Sequence, residues 1–177
     1  DKTLIVFTSD HGELLGDHGL LYKGCRFFEG LTHVPLILSN PGRFQAGLCA
    51  EGLTELIDIA PTILEAAGLD VHEDMQGRSL VPIATGQVSA ATHKDLVLCD
   101  FNDSVGYSPV SDQTQATMSF DGRYKLVLYH SHDIGELFDL EADPGEFENL
   151  FGKSELASLQ AELVLRHANA WAQTVVP

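Results

Sequence analysis

TLIVFTSDHG, residues 3–12, begins as a continuous apolar, β-branched run and ends in a carboxylate, an imidazole and a glycine. The run Thr3 to Thr8 has the composition of a strand buried on both faces of a parallel sheet. In open α/β sheets ligands bind just beyond the carboxyl ends of strands, so Asp10 and His11 fall where chemistry is done. A carboxylate and an imidazole side by side form a candidate pair of metal ligands, with Gly12 permitting a sharp backbone turn. Taken alone, the dipeptide also has a simpler explanation, a turn carboxylate next to a surface histidine.

Outward from this stretch, residues 9–32 are polar and glycine-rich, and connections of that length are usually functional. VPLIL (34–38) reads as a second strand, with Pro35 tolerated near its start, and Asn40-Pro41-Gly42 as a turn. From Asp58, a plausible N-cap, the pattern is helical: Pro61 fits the first turn, Ile63, Leu64 and Ala67 give an apolar face, and Gly68 stops it. A polar connector over 75–87 carries a short helical piece around Leu80 to Ala84. The second half holds short strands at 96–101, 117–120, 124–129 and 136–140, with Asp121-Gly122 as a hairpin signal. Leu156, Leu159 and Leu163 recur at helical spacing, with Trp171 on the neighbouring stripe, which predicts a C-terminal helix lying on a small antiparallel sheet. Only two strands suit a doubly wound domain, so the chain reads as beginning in mid-sheet. The division expected is an α/β part over 1–90 and a small α+β subdomain over 91–177.

The formal net charge of −16 leaves ten Lys and Arg, too few for a nucleic-acid-binding face. An anionic substrate stays possible, because one cation and a few placed donors reverse a local field. Cys25, Cys49 and Cys99 form no CxxC pair and no zinc spacing. No apolar run reaches transmembrane length, so no membrane partner is expected. No signal peptide is read in these residues, but Asp1 stands directly before a strand-like run, so a missing leader means little, and the residues do not choose a compartment.

The continuation TSDHGELLGDHGLLYK, then THVPLI, then PGR, resembles the sulfatase family of the alkaline-phosphatase superfamily. ELIDIAPT (55–62) is similar to that family's next helix. ELFDL (136–140), with Asp143-Pro144, Glu146 and Asn149-Leu150, looks like its C-terminal signature. The resemblance implies the C-terminal part of an alkaline-phosphatase-like mixed sheet sandwiched by helices, followed by the antiparallel subdomain. It implies Asp10 and His11 as ligands of one divalent cation, usually Ca2+ in sulfatases. Lys23 would be the lysine that contacts the sulfate oxygens, where an ammonium and a metal together stabilise a sulfuryl group in flight. His11 departs from the Asn of many calcium sulfatases and resembles iduronate sulfatase and the phosphonate monoester hydrolases; imidazole suits Mn2+ or Zn2+ better than Ca2+. Asp17, His18 and His33 also match, either as residues supporting the metal ligands or as residues ordering a long loop. The substrate implied is a sulfated small molecule or carbohydrate, and the compartment periplasmic, extracellular or lysosome-like.

Sulfatases attack with a formylglycine made in a C/S-x-P-x-R motif. SNPGR (39–43) fits literally, but it ends the VPLIL strand instead of opening a helix, and Cys25-Arg26-Phe27-Phe28 lacks the proline and arginine. Neither is taken as the nucleophile. The family's N-terminal pair of metal-binding aspartates is also not found, so this polypeptide alone is expected to be inactive and to need the N-terminal part of the same enzyme. The alternatives are a phosphonate or phosphate diester hydrolase of the superfamily, and a non-catalytic binding module. His130 and His132 lie at a hairpin end and are left as ordinary loop histidines.

Overall fold

The computed structural model describes residues 2–102 and 114–174. The chain forms two compact units, one from the described residues of 2–11 and 34–95, the other from 12–33 and the described residues from 96 onward. The division expected at residue 90 kept 12–33 with the first part; in the structure that segment belongs to the second unit.

In the first unit β1 (Ile5–Thr8) pairs with β2 (Leu36–Ser39) in antiparallel register, Phe7 opposite Ile37 and Ile5 opposite Ser39. This corrects the parallel reading of the TLIVFT run. The described connection between these strands contains a 3-10 turn (Asp17–Gly19) and a one-turn α-helix, whereas a parallel return in one sheet usually uses a full crossover helix. Burial on both faces is also corrected within this chain, since Ile5, Phe7 and Ile37 are 58%, 60% and 58% exposed. Three apolar side chains therefore share an open face of the pair.

The helix predicted from Asp58 forms as a 3-10 turn (Leu56–Asp58) running into an α-helix (Ile59–Ala66). Asp58 stands at the N-cap position of the α-helix, as expected, but its side chain makes no capping bond to that helix. It is the third residue of a capping box whose N-cap is Glu55, and its Oδ2 accepts the Glu55 backbone N–H at 2.9 Å. Fully buried, Asp58 also accepts the Arg78 N–H at 2.7 Å through Oδ1 and takes the Lys94 ammonium at 2.6 Å. The buried face of this helix is Pro61 and Thr62, not Ile63, which is exposed. Thr62 explains the difference: its hydroxyl donates to the Asp58 carbonyl at 2.5 Å and accepts the Leu80 N–H at 2.9 Å, tying in the short helix Val81–Ala84. Gly68, at φ 74°, ends the helix, and the Leu69 N–H reaches back to the Leu64 carbonyl at 2.9 Å.

The second unit is built on the predicted antiparallel sheet, in order β3 (Val97–Asn102), β4 (Gln115–Phe120), β5 (Tyr124–His130) and β6 (Gly135–Asp139). Asp121 closes the β4–β5 hairpin, its Oδ1 accepting the N–H groups of Arg123 and Tyr124 at 3.0 and 2.7 Å, while Gly122 supplies φ 95°. The pleat separates two faces. Ala116, Met118, Val127 and Tyr129 pack against Phe27, and Phe138 against Leu14, Phe28 and Leu31, so the segment read as a polar loop covers one face with four buried apolar side chains. Leu126 and Leu137 pack on the other face against Leu163, Leu159 and Val164 of the C-terminal helix Ala157–Thr174. That helix lies on this sheet as the leucine spacing predicted; Leu156 falls in the 3-10 turn leading into it. Cys25, Cys49 and Cys99 form no disulfide, and among the described residues no helix is long and apolar enough to cross a membrane.

The helix is also held by a buried polar chain. His167 Nδ1 lies 2.9 Å from Ser119 Oγ, its Nε2 2.8 Å from Thr117 Oγ1, and that hydroxyl 2.9 Å from His130 Nε2. Burial, with the charge of His130 second, pushes the His167 imidazole down to about 4. Above pH 6.5 both folded and unfolded chains hold it neutral. Between about 6.5 and 4 only the unfolded chain takes up the proton, so stability falls with falling pH across that window and levels off below it. After allowance for solvent screening the loss from this group is roughly 2 kcal/mol. Urea midpoints of wild type and His167→Gln, taken from pH 7 to 4, should converge on acidification; parallel curves would remove His167 as the cause.

Candidate active site

Asp10 and His11 follow β1 directly, at its carboxyl end. The His11 N–H donates to Asp10 Oδ1 at 3.1 Å, and Asp10 Oδ2 lies 3.5 Å from His11 Nε2, so both side chains turn to the same side. The Ser9 hydroxyl donates to the His11 carbonyl at 2.8 Å and fixes the turn between them. The Asp10 side chain is 86% exposed. One carboxylate oxygen and one ring nitrogen at this spacing suit two neighbouring positions on a metal with bonds of about 2.0–2.2 Å. Among the described residues no third carboxylate, thiol or imidazole completes a set of three.

Gly12 is required for a different reason than a sharp turn. A Cβ there would stand 1.9 Å from the Gly30 carbonyl oxygen, and the Gly12 N–H donates to Leu31 at 2.8 Å. The glycine allows two backbones to touch, which sews the residue after His11 to the short helix Glu29–Thr32.

Lys23 lies in the second unit, exposed, between two anchors. Upstream, Leu14 is buried and the loop closes on itself, with the Gly16 N–H donating to Leu20 at 2.7 Å. Leu15 and His18 adopt left-handed φ of 50° and 49°, strain that this tight loop maintains. Downstream, Phe27 and Phe28 are buried. The His18 N–H donates to Asp17 Oδ1 at 3.0 Å, and its ring stacks on Phe28, centroids 3.7 Å apart and planes 8° off parallel. His33 Nδ1 sits 2.8 Å from Glu29 Oε2. The His18 ring also lies against Phe147, with centroids 5.3 Å apart.

Sequence reasoning missed the group that anchors this loop. The Lys125 ammonium, 1% exposed on β5, donates to the Phe27 carbonyl at 3.0 Å, to Glu29 Oε1 at 2.7 Å and to Glu146 Oε1 at 2.7 Å. The other Glu146 oxygen accepts the Glu29 N–H at 2.7 Å. Burial alone would raise the Glu29 carboxyl, but the hydrogen bond and charge of Lys125, helped by His33, hold it below the ordinary carboxylate value. Glu146 sits at φ 56°, a strained position held by these bonds. A buried Lys on a strand is the only signal the sequence offered, and it does not name the carboxylates.

Residues 16–173 match the family model described as N-sulphoglucosamine sulphohydrolase, C-terminal. The chain belongs to the sulfatase family. It is 36% identical over 168 residues to N-acetylglucosamine-6-O-sulfatase of Bacteroides thetaiotaomicron, covering 93% of this chain and 29% of that protein. A solved structure of a protein in complex with its substrate D-glucosamine-2-N,6-O-disulfate superposes with a TM-score of 0.82 at 30% identity, over 97% of this chain and 34% of the other. The phosphonate monoester hydrolase of Silicibacter pomeroyi superposes with a TM-score of 0.85 at 30% identity, over 98% and 35%. This sulfatase chain thus spans about three tenths of the length of the curated relatives it matches, 29% and 28% in two of them. Membership of the family implies a divalent metal as cofactor.

Proposed function

We propose that this chain is part of a metal-dependent sulfuric ester hydrolase acting on a sulfated carbohydrate, to which it brings Asp10 and His11 as metal ligands and Lys23 as a sulfate contact. The observation that carries this is the convergence of Asp10 Oδ2 and His11 Nε2, 3.5 Å apart at the end of β1, in a chain of this family. Held between the anchors of its loop, Lys23 would present a fixed positive charge to the equatorial oxygens of the transferring group, where charge builds up. A divalent cation held by Asp10 and His11 would supply Lewis-acid stabilisation to a sulfuryl group. Two ligands do not suffice for Ca2+, which takes six to eight oxygens. The remaining ligands and the formylglycine nucleophile would come from enzyme outside this chain, and the open face of Ile5, Phe7 and Ile37 suits a sheet covered by further protein. We take Ca2+ as the ion the family resemblance implies; the imidazole of His11 makes Mn2+ or Zn2+ the competing assignment.

The test is metal analysis of the intact enzyme. Asp10→Ala and His11→Ala should each lose bound metal and lower turnover of an aryl sulfate, and the recovered element identifies the ion. Full metal content in both variants would withdraw the ligand assignment. A second reading is favoured by the likeness to the phosphonate monoester hydrolase. It predicts that kcat/KM on a phenyl phosphonate monoester exceeds that on the aryl sulfate, and the same preparation measures both.

A further inference from the structure

Leu15, Gly16, His18 and Gly19 all adopt positive φ, at 50°, 109°, 49° and 71°. The two glycines take that conformation freely, whereas a side chain there strains the backbone. A glycine would therefore serve the turn at position 18 better, and the imidazole is explained by what it touches. Its side chain is 12% exposed. The ring lies flat on Phe28 at 3.7 Å and tilts against Phe147 at 5.3 Å. Phe28 stands directly before Glu29 and Phe147 directly after Glu146, the two carboxylates that Lys125 holds. One ring thus docks the turn on the anchor that fixes the downstream end of the loop. The Asp17 carboxylate reaches the same place, its Oδ2 3.5 Å from where a Cβ on Gly30 would stand.

The return limb of the turn starts at Leu20 and Leu21, whose carbonyls accept the Gly16 and Leu15 N–H groups at 2.7 and 3.3 Å. Lys23 follows two residues beyond Leu21, at most about 7 Å of extended chain. A tilt of the turn on its anchor therefore passes almost directly to the lysine. Stacked rings oppose such a tilt, because aromatic pairs hold a preferred geometry. The stakes are high at a reacting centre, where a displacement of about 1 Å can cost about 10²-fold in rate.

We propose that His18 is a positioning residue for sulfuryl transfer, its stack on Phe28 and Phe147 fixing the turn that delivers Lys23. The inference rests on the sulfatase reading above and on the role given there to Lys23. Its test is steady-state kinetics of the full-length enzyme on an aryl sulfate. His18→Gly removes the ring and relieves the left-handed backbone, and it should lower kcat about tenfold with KM nearly unchanged. His18→Phe keeps a flat ring and should recover most of the rate. In a Lys23→Ala background His18→Gly should cost almost nothing further, because the ring acts through the lysine; a merely structural loss would multiply instead. Phe147→Ala, at a position 79% exposed, should show a smaller loss of the same kind. It decides the matter if His18→Gly does not fold, and wild-type kinetics in it would then overturn the proposal. Wild-type kcat in His18→Gly, no recovery in His18→Phe, or losses that multiply with that of Lys23→Ala would overturn it and leave the sulfatase reading standing. Failure of that reading shows separately, as wild-type enzyme without turnover or Lys23→Ala with wild-type kinetics, and takes the inference with it.

Discussion

In the intact enzyme, Lys23→Ala is expected to lower turnover of an aryl sulfate by about 10²–10³-fold, the usual cost of one preorganised charge at a transition state. Metal content and melting temperature should stay near wild type, because the side chain is exposed and such substitutions cost about 0.5 kcal/mol at most. The structure gives the preorganisation a basis: the loop is closed by its own backbone bonds before Lys23 and pinned by buried Phe27 and Phe28 after it. If the ammonium acts as proposed, where charge shifts in the transferring group, kcat should fall together with kcat/KM. Arg in its place should recover only part, since a planar fork does not reproduce a compact ammonium. Wild-type kinetics in Lys23→Ala would return the residue to the solvated surface.

A larger effect on folding is expected from Lys125→Met. The substitution keeps the volume of the side chain and strips the charge, leaving the carboxylates of Glu29 and Glu146 facing each other inside the protein. Removing one partner of a buried ion pair costs about 3–5 kcal/mol, chiefly through the charge left behind. For a protein of this size that lowers the melting temperature by roughly 10 °C. Glu146→Gln in the Lys125→Met background should restore part of it, because one uncompensated charge is gone. A Lys125→Met protein melting within about 2 °C of wild type would mean that the cluster is only a geometric coincidence.

Much of the second unit was legible because its signals are local. Asp121-Gly122 specifies its own turn, the short strands alternate, and Leu159 and Leu163 mark the buried stripe of the last helix. The first strand was misjudged because an apolar run reports what a strand is fit to be covered by, not which way its neighbour runs. At the candidate site, adjacency at a strand end singled out Asp10 and His11, and the position in a family-like segment singled out Lys23; their roles are proposals. Glu29, Lys125 and Glu146 were not readable together. Their partners lie 96 and 21 residues away from Lys125, and nothing in LYKGCRFFEG or RYKLVLY encodes that distance.

The bond from the Glu29 N–H to Glu146 spans 117 residues, and it has a consequence for the order of events on the ribosome. Translation delivers Lys23 early and its scaffold late: the face that receives Phe27 and Phe28 does not exist until β4 to β6 have emerged and paired. Until then the lysine rides on an unanchored tether whose closure entropy has yet to be met. A chain stalled or clipped ahead of Glu146 would carry Lys23 intact and still have nothing to aim it.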